Sequence, residues 1–229
     1  MYVLHYAPDN ASLIVRLALE EAGLPYRSAL VDRAARAQDS AAYRALNPTG
    51  LIPTLATPQG PISETAAILL WLSEAHPEAG LAPRPGSPLR LPFLKWLFFL
   101  SNTAHADLRQ VFYPTKYVAP DAISGHAALA HARMWQHFGL LDQAAAATPA
   151  LFAAPAVLGA YCAVLMRWSV LYPQNTARWF DAARYPALLA IARQLEIRPA
   201  ALAAARAEGL GPTPFSAPVP AIPPEGTAL

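Results

Sequence analysis

The stretch LNPTGLIPTLATPQGPISETAAILLWL, Leu46 to Leu72, decides how this chain is read. Asn47-Pro48-Thr49-Gly50 is a turn signal, because proline fixes its own φ and Asn and Gly tolerate the backbone of a reversal. It runs into the apolar segment LIPTL, where Pro53 stands at a position that would supply an amide donor in a central strand. A second turn, Pro58-Gln59-Gly60, precedes a short strand around Pro61-Ile62. Ser63-Glu64-Thr65 then opens a helix rich in Ala, Ile and Leu. A proline inside a strand-like run and an acidic helix start are each common; close together they ask for a joint reason.

NPTGLIP and ETAAI resemble the glutathione-binding half of the glutathione transferase family, whose hallmark is NPxGxVP, a hairpin, and an [ED]-S-x-AI helix start. The resemblance implies the physical role of each part. An Ile52-Pro53 bond in the cis form would turn the backbone so that Ile52 offers its own N–H and C=O to an extended peptide, as a strand would. That would hold the cysteine residue of glutathione. Glu64 and Thr65 stand where first-turn amides and the helix dipole attract a carboxylate, and Glu64 accepts from an ammonium, so they would hold the γ-glutamyl end. Where many relatives carry Lys or Gln just before the Val/Ile-Pro, this chain has Leu51.

With 229 residues, 55% of them hydrophobic and 14% charged, the chain has ample material for a core. A net charge of +2 without a basic run points to neither nucleic acid nor an anionic membrane. One cysteine, Cys162, excludes an intrachain disulfide and suits a reducing cytoplasm; in its apolar segment it reads as a buried, inert thiol. Met1 leads directly into MYVLHY, so no signal peptide is expected. The uncharged run from Gln143 to Met166 is broken by Pro149 and Pro155 and reads as a buried core helix, not a membrane span. His126, His131 and His137 do not share an i, i+4 face, so no metal site is expected.

Along the chain, residues 2 to 6 form a first strand, SLIVRLALEEAGL a helix ended by Gly23, SALVD a second strand and SAAYRAL a short helix. The order β-α-β-α-β-β-α is that of an α/β thioredoxin-like domain, here residues 1–80, followed across a proline-rich linker, 81–92, by an all-α helical bundle domain, 93–210. FLKWLFFLSNTAHADLRQVFY reads as one long helix that Pro114 must end or kink. ALAHARMWQHFGLLDQAA, AVLGAYCAVLMRW, YPALLAIARQLE and PAALAAARAEG follow. The helix holding Arg167 and Trp168 resembles the family's central helix, but Ala156 and Gly159 replace its capping box, at a cost of about 1 kcal/mol. Residues 211–229 form a proline-rich tail, read as disordered or strapped down.

The resemblance also implies that a hydroxyl or cysteine near the end of the first strand activates the thiol, by donating to the thiolate beside helix N-terminal amides. The segment is His5-Tyr6-Ala7-Pro8-Asp9-Asn10-Ala11-Ser12. Registered on VRLAL, the serine-type and cysteine-type positions fall on Asp9, Asn10 and Ala11, and the tyrosine-type position near His5 or Tyr6. Ser12 is favoured, with Asn10 second and Tyr6 third; a hydroxyl at Ser12 could equally cap its own helix. On the long helix, Ser101, His105, Arg109 and Tyr113 recur every four residues as a polar stripe. That stripe would present a cation and an acid/base group to an anionic or carbonyl-bearing acceptor, with Lys116, Tyr117 and Trp168 as lesser candidates. The alternative is a solvated or dimer-facing edge.

The resemblance therefore implies a cytoplasmic enzyme in which the thiolate of glutathione, as co-substrate, attacks a small electrophilic molecule, as in detoxification. It also implies a homodimer, with no metal, nucleic acid or membrane involved. A non-catalytic module that binds glutathione or another ligand is the rival, since no activating residue is matched outright.

Overall fold

The computed structural model describes residues 1–174 and 178–228. The N-terminal part runs β1 (Tyr2–Tyr6), α1 (Ser12–Glu21), β2 (Tyr26–Leu30), α2 (Ala41–Leu46), β3 (Thr54–Thr57), β4 (Gly60–Ser63) and α3 (Thr65–Ala75). The sheet order is β2-β1-β3-β4, with β1 parallel to β2 and antiparallel to β3, and β3-β4 a hairpin. This is the thioredoxin-like order expected, with two boundaries shifted. The second strand starts at Tyr26, opposite Tyr2, and stops at Leu30, short of the end of SALVD, because Asp32 already caps a turn by accepting from the amides of Ala34 and Ala35. The third strand begins only after Pro53, because the Leu51 carbonyl is taken by Asn47 Nδ2 at 2.8 Å and the Tyr43 hydroxyl at 2.7 Å.

The rest is helical: α4 (Arg90–Phe99), α5 (His105–Phe112), α6 (Ile123–Ala147), α7 (Val157–Leu171), α8 (Pro186–Glu196) and α9 (Pro199–Glu208). The long helix expected over 93–113 is present as α4 and α5 joined by a π-helical turn, Leu100–Ala104, and it ends at Tyr113 before Pro114. Its first turn, Arg90 to Pro92, comes from the expected linker, since a proline there removes no intrahelical donor.

Every residue of α7 from Val157 to Ser169 is buried, the signature of a helix apolar on all sides at the centre of a core. No side chain caps it. Instead its Val157 N–H donates to the carbonyl of Leu81, in the linker, at 2.9 Å. Gly159 has its own reason: a Cβ there would lie 1.9 Å from the Phe152 carbonyl, so the backbone turn preceding α7 leaves no room for the acidic residue of a capping box.

Helix α1 is the seam of the molecule. Leu13, Ile14 and Leu17 are fully buried, and the helix packs against α3 on the sheet side and against α7 and α9 on the other. The tail is strapped down. Phe215 is buried, the amides of Phe215 and Ser216 donate to Glu196, and Ile222 N–H donates to the Gly209 carbonyl at 2.8 Å. Leu229 lies outside the described residues. Among those described, no helix is long and apolar enough to cross a membrane.

Candidate functional site

A cavity of about 750 Å³ opens where the C-terminal end of β1 and the N-terminal end of β3 meet α5 and α7, within the size range of small-molecule sites. The first of its walls runs from Asn47 to Thr65. The Ile52-Pro53 bond is cis, as expected. Ile52 N–H and C=O make no hydrogen bond among the described residues, while neighbouring Leu51 and Thr54 are engaged. Glu64 precedes α3 with φ at +69°, and its side chain caps nothing. A non-glycine residue held in that region costs on the order of 1–3 kcal/mol and clusters at ligand clamps. Glu64, Thr65, Leu51, Ile52 and Pro53 all line the cavity, where they offer an open backbone pair, a carboxylate and first-turn amides. An extended peptide carrying an ammonium and a carboxylate matches that set.

The second wall is the β1–α1 turn. Of the three proposed donors, only Asn10 reaches the cavity. Its Oδ1 accepts from Ala11 N–H at 2.7 Å, and its Nδ2 has no partner among the described residues. Ser12 is fully buried; its hydroxyl donates to the Ala7 carbonyl at 3.0 Å and accepts from the Ala7 amide at 3.3 Å, closing the turn. These two bonds to the Ala7 backbone turn it inward. Tyr6 points away as well: its hydroxyl donates to Glu225 at 2.5 Å and its ring lies under the Arg16 guanidinium.

Asp9, between them, has φ at +49° and is almost fully buried. Its carboxylate accepts from Arg167 twice, at 2.8 and 2.9 Å, and from Trp168 Nε1 and the Tyr172 hydroxyl, while its amide donates to Glu208. Asp9 held in the left-handed region costs roughly 1–2 kcal/mol, which five such contacts offset. Burial lifts the Glu208 carboxyl to about 7 even though Arg16, 2.7 Å away, opposes it.

The third wall is α5. Ser101, His105, Arg109 and Tyr113 all line the cavity, with Lys116 and Trp168; Tyr117 does not and stacks on His126. Burial, with Arg109 adding to it, holds His105 at about 4, so its imidazole is neutral near pH 7. Its Nδ1 lies 3.0 Å from the Tyr161 hydroxyl, which burial keeps protonated; donation from Tyr161 places the imidazole proton on Nε2. Arg109 has no polar partner among the described residues. Arg33, from the loop after β2, donates to the Tyr113 hydroxyl and to the Ala228 carbonyl. With Asp9 neutralised by Arg167 and Asp39 by Arg36 and Arg44, the cations Arg33, Arg109 and Lys116 outnumber Glu64, so the cavity suits an anion.

Arg33, Tyr161, the Asp9–Arg167 pair and the tail were not anticipated as parts of the site. Arg167 left a trace, since a lone cation in an uncharged helix demands a buried counterion. Cys162 is buried and its thiol is pushed up by burial, as the sequence suggests. Among the described residues, no three or more His, Cys, Asp or Glu side chains are placed to hold a metal ion.

A sequence profile of the glutathione S-transferase N-terminal domain matches residues 11–75. A maleylacetoacetate isomerase of Rhizobium meliloti is 31% identical over 195 residues, 82% of this chain and 88% of that protein. A glutathione S-transferase of Xanthomonas campestris is 29% identical over 120 residues, 52% of this chain and 58% of that protein, so this match spans less than two thirds of the relative's length. The structure of a sphingomonad glutathione S-transferase complexed with glutathione superposes with a TM-score of 0.74 at 31% identity, covering 91% of this chain and all of that one.

Proposed function

Since the chain belongs to the glutathione transferase family, we propose that it binds glutathione and directs its thiolate onto a small electrophilic carbon. The observation that carries this reading is the first wall, where the unpaired backbone of Ile52 and the left-handed Glu64 face one cavity. When bound there, glutathione supplies the sulfur nucleophile. Ile52 pairs with the peptide through its N–H and C=O, Glu64 accepts from the ammonium, and Thr65 with the first amides of α3 receives the α-carboxylate. Asn10 Nδ2, the only one of the three expected donors with access, donates to the sulfur beside the N-terminal amides of α1. Arg109 and Tyr113, with neutral His105 and Ser101, line the place of the second substrate and favour an acceptor that carries or develops negative charge.

The functional form in this reading is a cytoplasmic homodimer serving detoxification, with a glutathione-binding domain at 1–80, the linker at 81–92, the helical domain at 93–210 and the tail at 211–229. The test is to follow the thiolate absorbance of bound glutathione against pH, and turnover with a panel of electrophiles. Asn10→Ala should raise the thiol pKa and lower turnover by roughly one to two orders of magnitude with affinity nearly kept. A wild-type protein that binds no glutathione would sink the proposal.

The second reading, a binding module without turnover, draws on one observation: the hydroxyls of Ser12 and Tyr6 are both committed elsewhere. Affinity for glutathione without turnover on any member of the panel would establish it.

A further inference from the structure

The turn that carries Asn10 is not held by its own domain alone. The guanidinium of Arg167 is forked: two of its donors go to the Asp9 carboxylate, and others reach the carbonyls of Leu210, Pro214 and Val219. Arg167 is fully buried, so these carbonyls are what complete its solvation in the core. Farther along, Glu225 accepts from Tyr6, the last residue of β1 before the turn. At Gly226 an added Cβ would meet Leu30 at 2.7 Å and Pro8 at 3.4 Å, so the tail runs in van der Waals contact over the turn itself. It reaches the rim of the cavity at Ala228, whose carbonyl accepts from Arg33. The tail is thus joined to the turn through Arg167 and Pro8, to the end of β1 through Tyr6, and to the rim of the cavity through Arg33.

We propose that residues 214–228 are a positioning strap: by completing the partners of Arg167 and by gripping Tyr6 and Pro8, they fix the β1–α1 turn so that the Asn10 carboxamide faces the thiol of bound glutathione. None of the hydrogen bonds of the strap described above goes to the groups assigned to the peptide part of the ligand, which belong to the Asn47–Thr65 wall. Its residues act through Asp9 and Asn10 and are positioning residues, not catalytic ones. Loosening it therefore weakens thiol activation while leaving glutathione affinity in place. A purely structural tail would instead lower both together, or lower stability and neither.

The inference rests on the glutathione reading above, and its test separates the two. Glu225→Ala removes the grip on Tyr6. Gly209→Ala works from the other end of the tail, because a methyl there would lie 1.9 Å from the Ile222 carbonyl oxygen, and Gly209 does not line the cavity. A chain ending at Thr213 removes the strap altogether; where that chain does not fold, the two point variants decide. Each protein is titrated with glutathione, and the thiolate absorbance of the complex is followed against pH. The expected result is a thiol pKa raised by about one unit, turnover lowered up to about tenfold below pH 7, and a glutathione Kd within about twofold of the parent. Restoring Glu225 as Asp or Gln should recover part of the shift, since both still accept from Tyr6. An unchanged thiol pKa in the folded variants overturns the strap. Failure of the parent protein to bind glutathione at all overturns the function on which it rests, and is recognisable before any variant is made.

Discussion

The first two walls of the cavity are built in opposite ways. The Asn47–Thr65 wall is local: its contacts join residues a few positions apart, as when Asn47 and Tyr43 hold the Leu51 carbonyl, and its ligand-facing groups are left unpaired. The β1–α1 wall is assembled from afar, by pairs separated by 158 residues between Arg167 and Asp9 and by 219 between Tyr6 and Glu225, and almost every polar group in it is satisfied. The first wall is open and ready to bind. The second is closed and rigid, with one carboxamide left over to act. The lesson is that affinity and activation can be disturbed separately, because different parts of the chain hold them.

The most severe way to break the contrast is Arg167→Met, which leaves the Asp9 carboxylate buried without its cation. Stability should fall by about 3–5 kcal/mol in urea unfolding; a loss below about 1 kcal/mol would mean that the closed wall does not depend on its distant partners. Glu64→Ala probes the open wall. It should weaken glutathione binding by about 1.5–3 kcal/mol in calorimetry, with the unfolding midpoint unmoved. Equal affinity would remove the ligand role of that wall.

A third measurement asks to which side α5 belongs. His105 lies 5.5 Å from the Trp168 ring, whose indole donates to Asp9, so it should behave as part of the closed wall. Its pKa is depressed from 6.5 to about 4 by burial first and Arg109 second. Protons that the unfolded chain binds below pH 6.5 are refused by the folded one, so the stability this group contributes is present above pH 6.5 and lost as pH falls through 4. Discounted for partial exposure, the loss is on the order of 2 kcal/mol. The unfolding free energy at pH 7 and pH 4.5 should differ less in His105→Gln than in the parent; identical slopes would refute the assignment. The mildest change is Ser12→Ala, which should cost about 1 kcal/mol of stability and leave the thiol pKa of bound glutathione where it was. A raised thiol pKa would return Ser12 to the activating role that its position in the sequence suggests.

The same contrast explains what could be read from the chain. The cis Ile52-Pro53 bond, the helix start at Glu64 and the polar stripe of α5 were legible because each is written within a dozen residues, in turn chemistry or helical spacing. Ser12 misled because a hydroxyl at a helix start looks the same whether it faces a ligand or, as here, staples the Ala7 backbone. The absent capping box of α7 read as a defect; the linker carbonyl of Leu81 and the close approach of Phe152 to Gly159 supply the reason for it, and neither has a sequence signature. The tail was illegible for a similar reason. Proline-rich composition predicts poor regular structure, and says nothing of carbonyls offered to a buried arginine 43 to 52 residues earlier.

Arg167 placed between Asp9 and the tail also sets an order of events during synthesis. A chain emerging N-terminus first has residues 46–65 in hand early, and the backbone and carboxylate that grip a peptide can form with the sheet. Asp9 must wait for α7, and Arg167 in turn waits for the carbonyls of Pro214 and Val219. Until those segments leave the ribosome, Arg167 lacks three of the five hydrogen bonds that its guanidinium makes in the folded chain. The β1–α1 turn is therefore among the last parts to be fixed, although it precedes nearly every element of the fold.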